Sequence, residues 1–171
     1  VNKVSKKYKI YLGTDHAGFE LKEKVLKYLQ DAGFEVFDFG AKSLEEFDDY
    51  PDYISPVAES VSCNPDMNRG IIFGGSGQGE AIVANRYPNV RATVYYGGGF
   101  FADRLDIIEL GRKHNNSNIL SIGARFVKFS LAKKAVDLWL KTTFSGEEKH
   151  IRRIKKIEKI SKDVKCKIDI S

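Results

Sequence analysis

Short apolar runs rich in β-branched and aromatic residues alternate along the chain with stretches whose apolar positions recur at helical spacing. Residues 8–13, 35–39, 70–73, 91–95 and 118–122 read as five strands. A helix is predicted over 18–32, with Phe19, Val25, Leu26 and Leu29 inward and Gly33 ending it. Further helices are predicted near 55–63, from Glu80 onward, and near 101–113, 130–141 and 147–162. Strictly alternating strands and helices, with short apolar strands, predict a parallel sheet covered by helices on both faces. No repeat, low-complexity segment or internal linker interrupts the pattern, so one domain spanning 1–171 is expected, with 1–7 and 163–171 as peripheral tails. Ligands of such sheets bind beyond the carboxyl ends of the strands, where the strand order switches direction. The loops after the first, third, fourth and fifth strands are therefore the places to look.

Composition narrows the class. Of 171 residues 42% are hydrophobic, 11 of them Phe, which excludes a disordered chain. No apolar run approaches the roughly 18 residues of a membrane span, so no membrane partner is expected. The lysines near the N-terminus are not followed by an apolar segment of the secretory kind, and a cytoplasmic location is expected. Cys63 and Cys166 lack metal-ligand spacing and fit a reducing compartment. The net charge of +5 is unevenly placed. Residues 149–171 carry nine Lys/Arg against three Asp/Glu, whereas the other 148 residues hold 19 cations and 20 anions. Such a basic segment suits nucleic acid, another anionic partner or a solvated helix. It lacks the aromatic interleaving of a nucleic-acid surface, and Ile151, Ile154, Ile157 and Ile160 recur at helical spacing. An amphipathic terminal helix docking on its own or a partner subunit is expected, without a nucleic-acid partner.

The candidate chemistry clusters in the loops. Gly74-Gly75-Ser76-Gly77-Gln78-Gly79-Glu80 sits between a strand and a helix and fits neither the P-loop nor the dinucleotide glycine pattern. Such a loop is either a tight turn or a set of backbone N–H groups aimed at one anionic point. Glu80 tilts the balance, because a carboxylate beside oxyanion donors can abstract a proton next to a carbonyl. Asp15-His16, after the first strand, offers an acid–base pair or a hydroxyl clamp, although Asp is also a good helix cap. His114 is followed by Asn115 and Asn116 just before the fifth strand. Lys149 and Arg153 share a helix face at i, i+4 spacing and suit either a phosphate or solvent, and Arg125 follows the fifth strand.

Taken in order, residues 13–22 (Gly-Thr-Asp-His-Ala-Gly-Phe-Glu-Leu-Lys), 49–53 (Asp-Tyr-Pro-Asp-Tyr), 69–80, Ala84-Asn85, 114–116, 123–125 and 150–153 resemble the ribose-5-phosphate isomerase type B family. Its relatives include the galactose-6-phosphate and allose-6-phosphate isomerases, and the likeness covers about residues 8–160. The resemblance implies a Rossmann-like three-layer α/β/α fold with a five-stranded parallel sheet and a C-terminal helix. It also implies a homodimer or dimer of dimers with shared active sites, and aldose–ketose isomerisation through a cis-enediolate with neither metal nor organic cofactor. One branch of the family uses a cysteine at the end of the third strand. That position is Gly74 here, whereas Glu80 matches the other branch and is expected to be the base. By the same likeness Gly75, Gly77 and Gly79 with Ser76 would hold the enediolate oxygen, and His114 beside Asn115 would open the sugar ring. Asp15 and His16 would bind hydroxyls or the ring oxygen, Tyr50 would line the pocket, and Arg125, Lys149 and Arg153 would hold the phosphate. The expected reaction is ribose 5-phosphate to ribulose 5-phosphate; the alternatives are a hexose 6-phosphate substrate or a non-catalytic binding protein. Two departures stand out: a longer connection between Arg91 and His114, and Lys149 where the family commonly has Arg.

Overall fold

The computed structural model describes residues 8–45, 47–98 and 103–163, with side chains described through Ile160. The tails at 1–7 and 164–171, Cys166 and the helix start expected at Phe101 lie outside the described residues. All five expected strands are present: β1 (Lys9–Thr14), β2 (Glu35–Asp38), β3 (Asn68–Gly74), β4 (Ala92–Tyr95) and β5 (Ile119–Gly123). They pair in parallel in the order β2-β1-β3-β5-β4. The β3 strand is central and buried at all seven positions, and its middle, Ile71-Ile72-Phe73, is apolar on both faces in consequence. The chain leaves β1 toward β2 on one side and β3 toward the β4 side on the other, so a crevice opens between the carboxyl ends of β1 and β3.

Alternate strand residues feed two apolar layers. Ile10, Leu12, Ile71, Phe73, Leu120 and Ile122 pack beneath α1 (Phe19–Asp31) and α5 (Phe129–Lys141). On the opposite face Ile72 and Ile119 pack beneath α2 (Tyr50–Cys63) and α3 (Gln78–Ala84). Helix α4 (Asp106–Asn115) adds Ile108 to the first layer, and α6 (Glu148–Asp163) follows against α4. The architecture is therefore the three-layer α/β/α sandwich that the alternation predicts.

Three local expectations need correction. Helix α2 begins at Tyr50, five residues before the predicted start, with Pro51 in its first turn. A proline there sacrifices no intrahelical hydrogen bond, so Tyr50-Pro51 opens the helix where it was expected to precede it. Helix α4 begins at Asp106, after the non-helical residues 103–105. In α1 the buried residues are Leu21, Lys22, Val25 and Leu29, while Phe19 and Leu26 are half-buried. Lys22 is wholly buried because its ammonium donates to Asp38 at 2.9 Å and to the Ala41 carbonyl at 3.2 Å, with Glu23 as a further partner.

At the amino-terminal edge of the sheet, buried guanidinium groups replace apolar contacts. Arg112 donates to the Thr142 carbonyl at 3.1 Å, to Asn116 Oδ1 at 3.0 Å and to the Ser117 carbonyl. Burial draws the Arg112 guanidinium down to about 10. Arg91 donates to the carbonyls of Asn116 and Asn89 and pairs with Glu158 of α6 at 3.0 Å.

Candidate active site

The β1–α1 and β3–α3 loops meet at the crevice. Asp15 ends the strand in an extended conformation and accepts the Ala17 N–H at 3.0 Å, capping the 3-10 turn His16–Gly18. Across from it, the glycine loop turns at Gly77, whose φ of +79° favours glycine over any side chain. Ser121 of β5 donates its buried hydroxyl to the Gly77 carbonyl at 2.6 Å and pins that turn. The Ala124 and Arg125 N–H groups donate to the Gly74 and Gly75 carbonyls at 2.8 and 3.2 Å. Ser76 accepts the Gln78 N–H at 3.3 Å, which leaves its hydroxyl proton for a ligand.

Glu80 lies in the first turn of α3 and is 5% exposed. Its carboxylate packs on the end of β3: a Cβ on Gly74 would lie 1.8 Å from Oε1 and 2.5 Å from Oε2. Burial pushes the Glu80 carboxyl above its ordinary range; an N–H bond opposes this and the nearby Asp15 carboxylate adds to it. Asp15 is itself pushed up by burial, against the Ala17 N–H. The Tyr50 ring closes over Gly79 and the Arg125 guanidinium lies against Gly75, each about 3 Å from where a Cβ would stand.

These groups line a cleft of about 310 Å³ that holds Asp15, His16, Tyr50, Gly75, Ser76, Gly79, Glu80 and Arg125, with Phe126 at its side. A groove of about 520 Å³ shares His16, Arg125 and Phe126 and continues past Glu20, Lys24 and Lys128. Asp15, His16 and Asp48 bring one metal-ligating atom each within 4.8 Å of one another. In this set, however, His16 Nδ1 and Asp48 Oδ1 already bond each other at 2.6 Å.

Four of the expected site residues stand elsewhere in the chain. His114 and Asn115 end α4 at the amino-terminal edge of the sheet, separated from the cleft by the length of β5, about 13 Å at strand spacing. His150 of α6 is 4% exposed, with its ring stacked on His114 at a centroid distance of 4.4 Å and an interplanar angle of 9°. Burial, reinforced by the facing His114 and opposed by Glu147, lowers the His150 pKa. Lys149 pairs with Glu147 at 2.7 Å, and Arg153 is exposed. One chain thus carries two chemical clusters: a carboxylate and loop at one end of the sheet, and two imidazoles with cations at the other.

The geometry agrees with what the motifs share with known proteins. A ribose/galactose isomerase family model matches residues 10–157. This chain belongs to the ribose/galactose isomerase family. Among its relatives, ribose-5-phosphate isomerase B of Mycolicibacterium paratuberculosis is 37% identical over 146 residues, covering 85% of this chain and 87% of that one. Its namesake in Escherichia coli is 38% identical over 152 residues, covering 89% and 95%. The crystal structure of ribose-5-phosphate isomerase B from Mycoplasma genitalium, solved with bound ribulose 5-phosphate, superposes with a TM-score of 0.84. It is 34% identical and covers 92% of this chain and 98% of that one. Within the family fold, sequence reasoning overlooked Asp48, because an acidic stretch before a helix reads as a solvated connection. His150, which the sequence offers only as the first residue of the 150–153 motif, is buried in the structure.

Proposed function

We propose that this protein interconverts an aldose phosphate and its ketose, ribose 5-phosphate and ribulose 5-phosphate, with Glu80 as the base. The observation that carries the reading is a buried, proton-retentive carboxylate facing a cleft beside a glycine loop and a guanidinium. In the open-chain aldose, Glu80 takes the C2 proton, and the electron pair moves through C1 onto the carbonyl oxygen. The residue 75–79 loop and Ser76 stabilise the resulting enediolate, and Glu80 returns its proton to C1 while a proton passes from O2 to O1. A pKa raised by burial suits a base that must both accept and return a proton near neutrality. Asp15 and His16 hold hydroxyls, and Arg125 faces the phosphate end.

His114 serves as the ring-opening acid–base group, with Asn115 beside it and with Lys149 and Arg153 on the phosphate. These groups act on the cleft of a second copy, because within one chain they stand at the opposite end of the sheet. A homodimer, or a dimer of dimers, with composite sites follows. A hexose 6-phosphate is the second reading, favoured by the groove beyond His16 and Arg125, which has room for a longer sugar.

The test is a coupled isomerase assay on ribose 5-phosphate, allose 6-phosphate and galactose 6-phosphate, with Glu80→Gln as control. Turnover of ribose 5-phosphate with the highest kcat/KM, lost by about 10²-fold or more in Glu80→Gln, supports the reading. Full activity in that variant overturns the mechanism, and preference for a hexose phosphate selects the second substrate.

A further inference from the structure

His16 reaches the cleft from a short turn, and what holds it there is a carboxylate from a distant part of the chain. Asp48 lies in the connection between β2 and α2, 32 residues on. One of its oxygens, Oδ1, accepts the His16 backbone N–H at 3.1 Å and stands 2.6 Å from His16 Nδ1. The Asp48 side chain is 5% exposed, whereas that of His16 is 33% exposed. The second oxygen, Oδ2, is buried, with no partner at full hydrogen-bond geometry among the described residues, and the Tyr53 hydroxyl is the polar group that faces the carboxylate.

A turn alone does not require this arrangement. An amide or a hydroxyl would accept the same backbone N–H without burying a charge. A carboxylate on a ring nitrogen does something that those groups do not. It requires Nδ1 to carry a proton, leaves Nε2 as the ring nitrogen available to the cleft, and stabilises the imidazolium when Nε2 is protonated.

We infer that Asp48 is a positioning residue, which fixes the tautomer and direction of His16 so that Nε2 meets the sugar phosphate as a charged donor. This rests on the isomerase reading above and deepens it: the cleft presents His16 with Arg125 as a pair of cations in the same lining as Glu80 and Asp15. Asp48 acts only through His16 and touches no substrate. The charged groups around the imidazole agree with the assignment. The Asp48 hydrogen bond is the main influence holding its pKa above the ordinary value, the Asp15 carboxylate adds to it, and Arg125 opposes it. Glu20 and Lys24 of α1 and Lys128 share the adjoining groove with His16. Tyr53 of α2 faces Asp48, and burial followed by that carboxylate raises its own pKa.

The experiment combines a readout independent of activity with one that depends on it. The chain has three histidines, so the imidazole nitrogens are assignable by NMR with His16→Gln as reference. In the wild type, His16 should carry its neutral-state proton on Nδ1 and titrate above about 6.5. In Asp48→Asn the titration should move down and the two tautomers should mix. The same variant should lose about 10–100-fold in kcat/KM for ribose 5-phosphate, with the alkaline limb of the pH profile shifted down. A wild-type His16 protonated on Nε2, or an unshifted titration in Asp48→Asn, overturns the inference. So does an activity loss that follows a fall in Tm with no change in the pH profile. If Asp48→Asn does not fold, the wild-type tautomer decides the matter alone. A wild type that turns over no sugar phosphate refutes the isomerase reading, while the nitrogen spectra still judge Asp48.

Discussion

The carboxylate of Glu80 fills the space that a side chain at Gly74 would need, with Oε1 1.8 Å from the position of the missing Cβ. Glycine at the end of β3 is thus a condition for placing this carboxylate, the proposed base. Gly74→Ala should push the carboxylate out of the cleft and lower kcat by about 10²-fold or more, the scale of losing a general base. Added to Glu80→Gln it should lower kcat little further, since both changes remove one function. A double-mutant cycle on kcat measures this; fully additive losses would separate Gly74 from the base.

Burial of Glu80 also has a stability signature. Its raised pKa means that the folded chain keeps this proton to higher pH than the unfolded chain does. The stabilisation is full below the unfolded value and is lost as pH rises through the folded one. Glu80→Gln, neutral throughout, should match the wild type in acid and exceed its Tm toward neutrality. Thermal melts between about pH 4 and 8 would show the two curves diverging upward.

The separation of Glu80 from His114 makes complementation a sharp test of shared sites. Glu80→Gln and His114→Ala chains should each be nearly inactive. After mixing and subunit exchange, about a quarter of wild-type turnover should return, because half the dimers are mixed and each mixed dimer has one intact site. No recovery after demonstrated exchange would place both residues in one chain's chemistry.

Ser121 tests whether the glycine loop is held in advance. Removing its hydroxyl in Ser121→Ala frees the Gly77 carbonyl from its 2.6 Å bond. Stability should fall by about 0.5–1.5 kcal/mol in urea melts, the scale of one such bond. In steady-state assays kcat should fall more than KM rises, since in the proposed mechanism the loop serves the enediolate more than the bound sugar.

Much of this was legible in the residues. The buried run of β3 and the glycines after it announce a strand opening into a donor-rich turn, and Glu80 follows within helical reach. What escaped depends on contacts between distant segments. Nothing local to Asp48 says that its partner is His16, and nothing local to His150 says that it stacks on His114. Lys22 reads as a polar position on α1 until Asp38 and the Ala41 carbonyl are brought beside it. The start of α2 was missed for another reason: Pro51 reads as a breaker unless it stands in the first turn, where it is compatible with the helix.

The arginines at the amino-terminal edge have a mechanical consequence. Arg112 ties the end of α4 to the segment leaving α5, and Arg91 ties that same edge to Glu158 on α6. His114 and the helix bearing Lys149 and Arg153 are thereby braced into one stiff block. In the composite site proposed above, such a block would meet the second copy with its backbone already ordered at folding, so association would cost little backbone freedom. Rigidity at the edge remote from Glu80 would then contribute to affinity, through residues that the proposal keeps away from the sugar.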